Sequence, residues 1–203
     1  MPEYSPILVS PASVMPVSLD DAKSQLRVDH SDDDALISRL IESATGWIDG
    51  WSGVLGRAIM QQTWRQQYDS FASRMRLVVG PVLSVSSITY HDIDGNQQTV
   101  SSDVYALRNY ADWAYVSLAN DKEWPSHDGR EAGIEINYVS GHASPGEVPA
   151  AIKHAILMLV ASWYENREAV GGAIAGRSGD PVEIPLGVHE LLAPYKRSYL
   201  HET

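Results

Sequence analysis

The stretch over residues 171–180 reads GGAIAGRSGD and comes close to the phosphate-binding pattern G-x-x-x-x-G-K-[ST]. In that pattern, backbone N–H groups and a following helix hold the phosphates, and the lysine adds positive charge. Here Arg177 stands at the lysine position, and the sequence Gly-Asp-Pro at 179–181 follows it. Because Gly-Asp-Pro does not begin a helix that could point at a ligand, the sequence predicts a glycine-rich hinge over residues 171–181 rather than a nucleotide site.

A second stretch with chemical potential is Asp92-x-Asp94-Gly95, which resembles the start of a calcium-binding loop. Such a loop requires a glutamate at its twelfth position and helices on both sides. Asp103 occupies that position, and the flanking residues have the pattern of strands. The sequence therefore predicts a tight turn here.

Histidines and nucleophiles do not form a recognisable catalytic or metal-binding motif. No two histidines are spaced i, i+4 on a predicted helix, no G-x-S-x-G motif occurs, and the chain has no cysteine. The seven histidines are His30, His91, His127, His142, His154, His189 and His201. We therefore expect no catalytic residue, no cofactor-binding residue and no metal ligand. A small acidic, carbohydrate-active hydrolase remains an alternative, because carboxylates distant in sequence can meet in the fold.

The overall charge also limits the class of protein. The formal net charge is −11, and an acidic surface repels phosphates, so tight nucleic-acid binding by the whole surface is not expected.

The longest apolar run, Ala155–Ala161, is too short to span a bilayer, and the first residues lack the pattern of a signal peptide. We expect no membrane association, and the absence of cysteine fits a reducing cytoplasm.

Two helices are predicted near the start of the chain. Ser18 opens the first, with Asp21 three residues later in the pattern of a capping box, and this helix ends near Val28. The second follows three aspartates at 32–34, whose charge the helix macrodipole favours at this end. Apolar residues between 36 and 51 then recur at steps of three and four, which predicts one broad buried stripe.

The middle of the chain has the pattern of strands, and a helix returns after it. Asp94-Gly95 separates two β-rich runs and predicts a hairpin, and Ile134, Ile136 and Tyr138 alternate with polar residues. About six short strands are expected. Pro149 suits a first helical turn, and the helix that follows is apolar on most sides and runs to about residue 170.

This order predicts an α+β fold: a helical bundle with an inserted small antiparallel β-sheet or sandwich and a flexible C-terminal arm. The predicted parts are an extended N-terminal arm (1–17), the helical part of the core (18–57), the β insertion (58–140), a long helix completing the core (141–170), the hinge (171–181) and a docking arm (182–203).

Three blocks in this order resemble the head–tail connector, or adaptor, proteins of tailed bacteriophages and gene transfer agents. The first covers residues 17–64, with a Leu-Arg end of helix one, an acidic D-D-A-L-I start of helix two and a Q-T-W strand. The second covers residues 148–170 and contains W-Y-E-N-R-E. The third is IPLGVHELLAPYKR at 184–197, with the pattern L-L-x-P-Y-[KR].

The resemblance implies a structural virion protein without catalysis. Such connectors form a ring of copies, commonly dodecameric, beneath the portal protein of the DNA-filled head. The ring offers a docking surface to the tail or to a stopper protein on the tail side, and DNA passes through its channel without specific binding. Assembly into the particle neck in the host cytoplasm is expected. A different neck or tail-completion protein of the same particle is the alternative.

The resemblance also singles out two sets of contact residues, which stay predictions. Trp163, Tyr164 and Arg167 are expected at contacts with a neighbouring subunit or within the helical bundle. For portal docking by the C-terminal arm the expected residues are Ile184, Leu186, Leu191, Leu192, Tyr195 and Arg197. Apolar groups would supply contact area, and Arg197 would pair with a carboxylate of the partner.

Overall fold

The computed structural model describes residues 4–110, 113–166 and 184–197, which divide into two compact units. The unit called here the β unit contains the described residues up to Ser13, those within 57–143, and Arg197. The helical unit contains the described residues within 14–56 and 144–196. Strands and helices are thus both present, and the predicted α+β class is confirmed. The predicted hinge at 171–181 lies outside the described residues.

Four α-helices make up the described part of the helical unit: α1 (Leu19–Leu26), α2 (Asp34–Ile48), α3 (Ala150–Glu165) and α4 (Leu186–Leu192). The first three contact one another, and α4 contacts α3. On α2 the buried apolar residues are Ile37, Ile41, Ala44 and Ile48, which confirms the predicted stripe. On α3 they are Ile152, Ala155, Ile156, Leu159 and Val160.

Helix α1 begins at the predicted capping box. The Ser18 hydroxyl accepts a hydrogen bond from the backbone N–H of Asp21 at 3.0 Å, and the Asp21 carboxylate accepts one from the backbone N–H of Ser18 at 3.0 Å. These bonds satisfy two N–H groups that a helix start leaves without partners. The hydrogen bond from the Ser18 side chain holds the pKa of Asp21 below its ordinary value.

Eight strands occur in the described part of the β unit, where about six were expected. They are β1 (Ile7–Ser10), β2 (Gln62–Tyr68), β3 (Met75–Leu77), β4 (Val82–His91), β5 (Gln97–Thr99), β6 (Tyr105–Asn109), β7 (Ala114–Leu118) and β8 (Ile134–Ser140). They form a five-stranded antiparallel sheet in the order β1-β2-β8-β4-β5 and a three-stranded antiparallel sheet in the order β3-β7-β6.

The five-stranded sheet has its core along β8. Ile134, Ile136 and Tyr138 are fully buried, as their alternation predicted. β2 contributes Trp64 opposite Tyr138, but it also buries Gln66, whose side-chain amide donates to the backbone carbonyl of Tyr4 at 2.6 Å. β1 lies within the segment predicted as an extended arm and pairs with β2 at the edge of the sheet.

The hairpin predicted at Asp94-Gly95 is confirmed between β4 and β5. One Asp92 carboxylate oxygen accepts from the backbone N–H groups of Asp94 and Asn96 at 3.1 and 2.9 Å. The other accepts from the Gln98 side chain at 2.9 Å, and this bond is the main cause that lowers the pKa of Asp92. The carboxylate is thus engaged by its own turn, as expected for a turn and not for a calcium loop.

Candidate interaction surfaces

The end of α3 carries two of the predicted subunit-interface residues, Trp163 and Tyr164, which are both half-buried. The Tyr164 hydroxyl donates a hydrogen bond to the carboxylate of Asp33, the residue that precedes α2. Tyr164 therefore ties α3 to the start of α2 within one chain, and part of its surface remains for a neighbour. Arg167, the third predicted residue, lies outside the described residues.

The predicted docking residues of the C-terminal segment fall into two groups. Leu192 is fully buried, as is its neighbour Val188 one turn earlier, and both lie on the helix that contacts α3. A Cβ atom added to Gly187 would lie 3.1 Å from the terminal methyl carbon of Met158, which shows how closely α4 packs there. The surface of Leu192 is therefore used inside this chain.

The other predicted docking residues of the segment keep exposed surface. Ile184, Leu191, Tyr195 and Arg197 are half-buried, and the Leu186 side chain lies outside what the structure describes. The described part of the segment thus combines a face that packs on α3 with a partly exposed face.

The start of α2 concentrates negative charge in the helical unit. Asp34 pairs with Lys23 at 2.6 Å, and Asp33 accepts from Tyr164. Asp29 and Asp32 are exposed, and the Asp32 side chain is 90% exposed with the His30 ring 3.9 Å away. The charge on Asp29 and Asp32 is consequently accessible to other molecules.

A cleft of about 540 Å³ opens in the helical unit and bears on the hydrolase alternative. Its lining includes two carboxylates, Asp21 and Glu42, together with Lys153 and the exposed side chains of Val14 and Met15. A general acid in a glycosidase needs a raised pKa, whereas the pKa of Asp21 is lowered because the carboxylate caps α1. The cleft therefore favours a structural role for Asp21 over an acid-base role.

A cluster of aromatic rings and arginines in the β unit was not predicted from the sequence. Tyr110 stacks on Trp113 with ring centroids 4.6 Å apart, and Trp113 stacks on Tyr115 at 5.3 Å. The Arg74 guanidinium lies over the Tyr115 ring at 5.3 Å, and Arg108 is paired with Tyr115 across the ladder of β6 and β7. We call these five residues the aromatic–arginine patch. The Trp-Ala-Tyr sequence at 113–115 was the available signal, but Arg74 lies just before β3 and Arg108 lies on β6.

Metal-binding clusters and membrane-spanning helices are both absent from the described residues. No group of three or more histidine or acidic side chains within residues 4–110, 113–166 and 184–197 is arranged to hold a metal ion. In the same part of the chain, every helix is too short or too polar to cross a bilayer. The stretch that resembles a phosphate-binding loop lies outside these residues.

The family model described as head completion protein matches residues 17–198. No curated protein matches the sequence significantly. The matched range includes all three blocks on which the resemblance to connector proteins depends.

Three solved chains share the fold over nearly their whole length. A chain from the neck of an empty gene transfer agent particle, computed with C6 symmetry, has a TM-score of 0.72 at 18% identity and covers 98% of this chain and 99% of that chain. A chain from the virion of a native gene transfer agent particle has a TM-score of 0.72 at 17% identity, and the match covers 98% of this chain and 99% of that chain. A chain from the neck of a native gene transfer agent particle, computed with C12 symmetry, has a TM-score of 0.62 at 17% identity. The match covers 97% of this chain and 98% of that chain.

Proposed function

The chain belongs to the head completion protein family, and from this membership we propose that it is a neck subunit of a tailed phage or gene transfer agent particle. Its role is a structural one in head completion. We propose further that its copies form a ring beneath the portal protein, present a docking surface to the tail-side neck protein and let DNA pass through the central channel. The observation that carries the proposal is the family match over residues 17–198.

Ring formation is supported by the symmetry of the particles in which this fold occurs. Chains of the same fold belong to gene transfer agent necks computed with C6 and C12 symmetry. A ring of identical copies requires a head-to-tail interface, in which one surface of a subunit binds a different surface of the next. The acidic start of α2 and the aromatic–arginine patch are two such different surfaces.

DNA passage is supported by charge. The chain carries a formal net charge of −11, and negative surfaces repel the phosphate backbone. A channel wall made of such subunits would let duplex DNA slide without being held.

We also propose that the C-terminal segment docks on the portal through Ile184, Leu191, Tyr195 and Arg197, which keep exposed surface. Deleting residues 182–203 would test this poorly, because the deletion also removes buried Val188 and Leu192 from the core. Point variants on the partly exposed side separate the two roles. Leu191→Asp with Tyr195→Ala should abolish capture by purified portal protein, whereas Glu190→Ala at an exposed neighbouring position should leave capture unchanged.

The function itself is tested by cryo-electron microscopy of particles from a producing strain with and without the gene. We expect DNA-filled heads that lack tails in its absence, and a ring of this protein between portal and tail in its presence. Finding the protein at another level of the neck or tail would favour the alternative of a different completion protein. Complete, infectious or transducing particles without the protein would refute both assignments.

A further inference from the structure

The aromatic–arginine patch has the composition of a protein-binding surface. Trp, Tyr and Arg are the residue types enriched among side chains that dominate binding energy. Tyr110 is 54% exposed, and Arg74 and Arg108 are exposed. A cleft of about 170 Å³ beside the stacked rings is lined by Tyr110 and Trp113, together with Asn109 on β6. A side chain from a partner could enter this cleft.

The rings are held in place by local structure, so the patch is preorganised. The backbone N–H of Tyr110 donates to the carbonyl of Trp113 at 2.8 Å, which continues the ladder of β6 and β7 beyond the Asn109–Ala114 pair. Tyr115 is only 8% exposed and is paired with Arg76 on β3 and Arg108 on β6. A hydrogen bond between Tyr110 and Tyr115 raises the pKa of Tyr110. Little side-chain entropy would be lost when a partner binds such a surface.

The charge of the patch identifies the kind of partner. Within the described part of the chain, neither Arg74 nor Arg108 takes part in an ion pair. Arginine binds carboxylates with two parallel hydrogen bonds, so a protein segment carrying exposed aspartates is the complementary ligand. Two arginines are too few to hold duplex DNA tightly against a net charge of −11.

A second copy of the chain supplies such a segment. Four aspartates lie within residues 29–34, three of them in the connection between α1 and α2 and the fourth, Asp34, at the first residue of α2. Asp33 and Asp34 are engaged inside their own chain, by Tyr164 and Lys23, and Asp29 and Asp32 are exposed. The two surfaces lie in different units, and a head-to-tail contact needs two different surfaces on each copy.

We propose that the aromatic–arginine patch of one copy binds the Asp29–Asp32 segment of the next copy. The proposal rests on the ring described under the proposed function and names the surfaces that join its subunits. Arg74 and Arg108 pair with the two exposed aspartates, and the Tyr110 ring covers the contact from water. Because the pairs lie near the surface, the contact weakens as salt concentration rises.

Charge reversal on each surface, followed by mixing, tests the proposal. The variants are Arg74→Glu with Arg108→Glu, and Asp29→Lys with Asp32→Lys, each on the full chain and checked for folding by circular dichroism. Sedimentation velocity over a concentration series measures self-association. Arg39→Glu, at an exposed arginine on α2 outside both surfaces, makes the same kind of charge change as a matched control.

We expect each double variant alone to self-associate at least about tenfold more weakly than the wild type, because like charges then face each other. The Arg39→Glu control should associate like the wild type. An equimolar mixture of the two double variants should recover the wild-type level, because every contact in an alternating assembly again joins opposite charges.

Four results would overturn the inference. In the first, both double variants associate as strongly as the wild type, and in the second, mixing them restores no association. In the third, the wild-type chain stays monomeric at every concentration. In the fourth, Arg74→Glu with Arg108→Glu loses binding to a fluorescent DNA duplex but still self-associates. The last result would assign the patch to DNA. If imaged particles contain rings of this protein, the proposed function holds even where the proposed contact fails. If the neck of the particles lacks this protein, the proposed function is wrong.

Discussion

Replacing Leu192 by alanine tests whether α4 belongs to the core or acts as the mobile arm that the sequence predicted. Leu192 is fully buried on a helix that contacts α3. Burying a leucine side chain contributes about 1.5–3 kcal/mol, and the cavity left behind raises the cost of Leu→Ala to about 2.7–5 kcal/mol. A leucine on a solvated arm would instead cost less than about 0.5 kcal/mol.

The assay is thermal and urea unfolding of the full chain, followed by far-ultraviolet circular dichroism and calorimetry. For a protein of this size, each kcal/mol lowers Tm by about 2–4 °C, so the variant should melt roughly 5–20 °C below the wild type. Leu191→Ala is the matched control, since this neighbouring leucine is half-buried and its removal leaves a smaller cavity. We expect a loss of about 1 kcal/mol for the control.

Equal stability of the wild type and Leu192→Ala would refute the reasoning, because a fully buried leucine cannot be truncated without cost. The segment would then have to be detached from α3 in solution, as the arm interpretation holds. Equal losses for Leu191→Ala and Leu192→Ala would refute the orientation of α4 while keeping its contact with the core.

Three further predictions concern local features. Asp21→Ala should lower stability at pH 7 by about 0.5–1 kcal/mol. The Ser18 hydrogen bond lowers the folded pKa of Asp21, so the contribution of Asp21 to stability is present above the unfolded pKa of about 3.9 and disappears as pH falls through the folded pKa. The difference between variant and wild type in urea melts should therefore shrink as the pH is lowered below the unfolded pKa. Gly141→Ala should lower the free energy of unfolding by more than about 1 kcal/mol in urea melts. The φ angle of Gly141 is +101°, and the new Cβ would lie 2.1 Å from a backbone oxygen. The control Gly146→Ala should be nearly neutral, because its Cβ would meet no close atom. Tyr164→Phe should lower the free energy of unfolding by about 1–2 kcal/mol, because the hydrogen bond to Asp33 at the start of α2 is lost. Thermal unfolding checks this.

Features set by neighbouring residues could be predicted from the sequence. The capping box of α1, the stripe on α2 and the turn at Asp94-Gly95 each depend on residues within a few positions of one another. The alternation along β8 also predicted correctly which side chains face the core.

Features set by distant pairing could not be predicted. β1 has no core residue of its own, and Ile7, Leu8 and Val9 are all near half-exposed, so only its backbone ladder with β2 defines it. The burial of Gln66 depends on the carbonyl of Tyr4, far away in the chain. Helix α4 is short, and its position follows from the contact with α3.

The same distinction explains why some candidate contact residues could be predicted from the sequence and others could not. Trp163 and the exposed residues of the C-terminal segment belong to continuous blocks, and a continuous block can be compared with a family. The aromatic–arginine patch combines Arg74 just before β3, Arg108 on β6 and the three rings of Tyr110, Trp113 and Tyr115. Strand order brings these residues together, and strand order depends on long-range pairing.

The distribution of charge also bears on how the proposed ring of identical acidic subunits would hold together. With a net charge of −11, random contacts between copies are repulsive, so association requires that positive charge be concentrated at one place and negative charge at another. Under the proposed contact, Arg74 and Arg108 of the β unit supply the positive charge, and Asp29 and Asp32 of the helical unit supply the negative charge. In a head-to-tail contact, each copy binds one neighbour through the aromatic–arginine patch and another through the exposed aspartates. Under the proposed contact, copies would add in this way, and a ring would form where the rotation from one copy to the next closes.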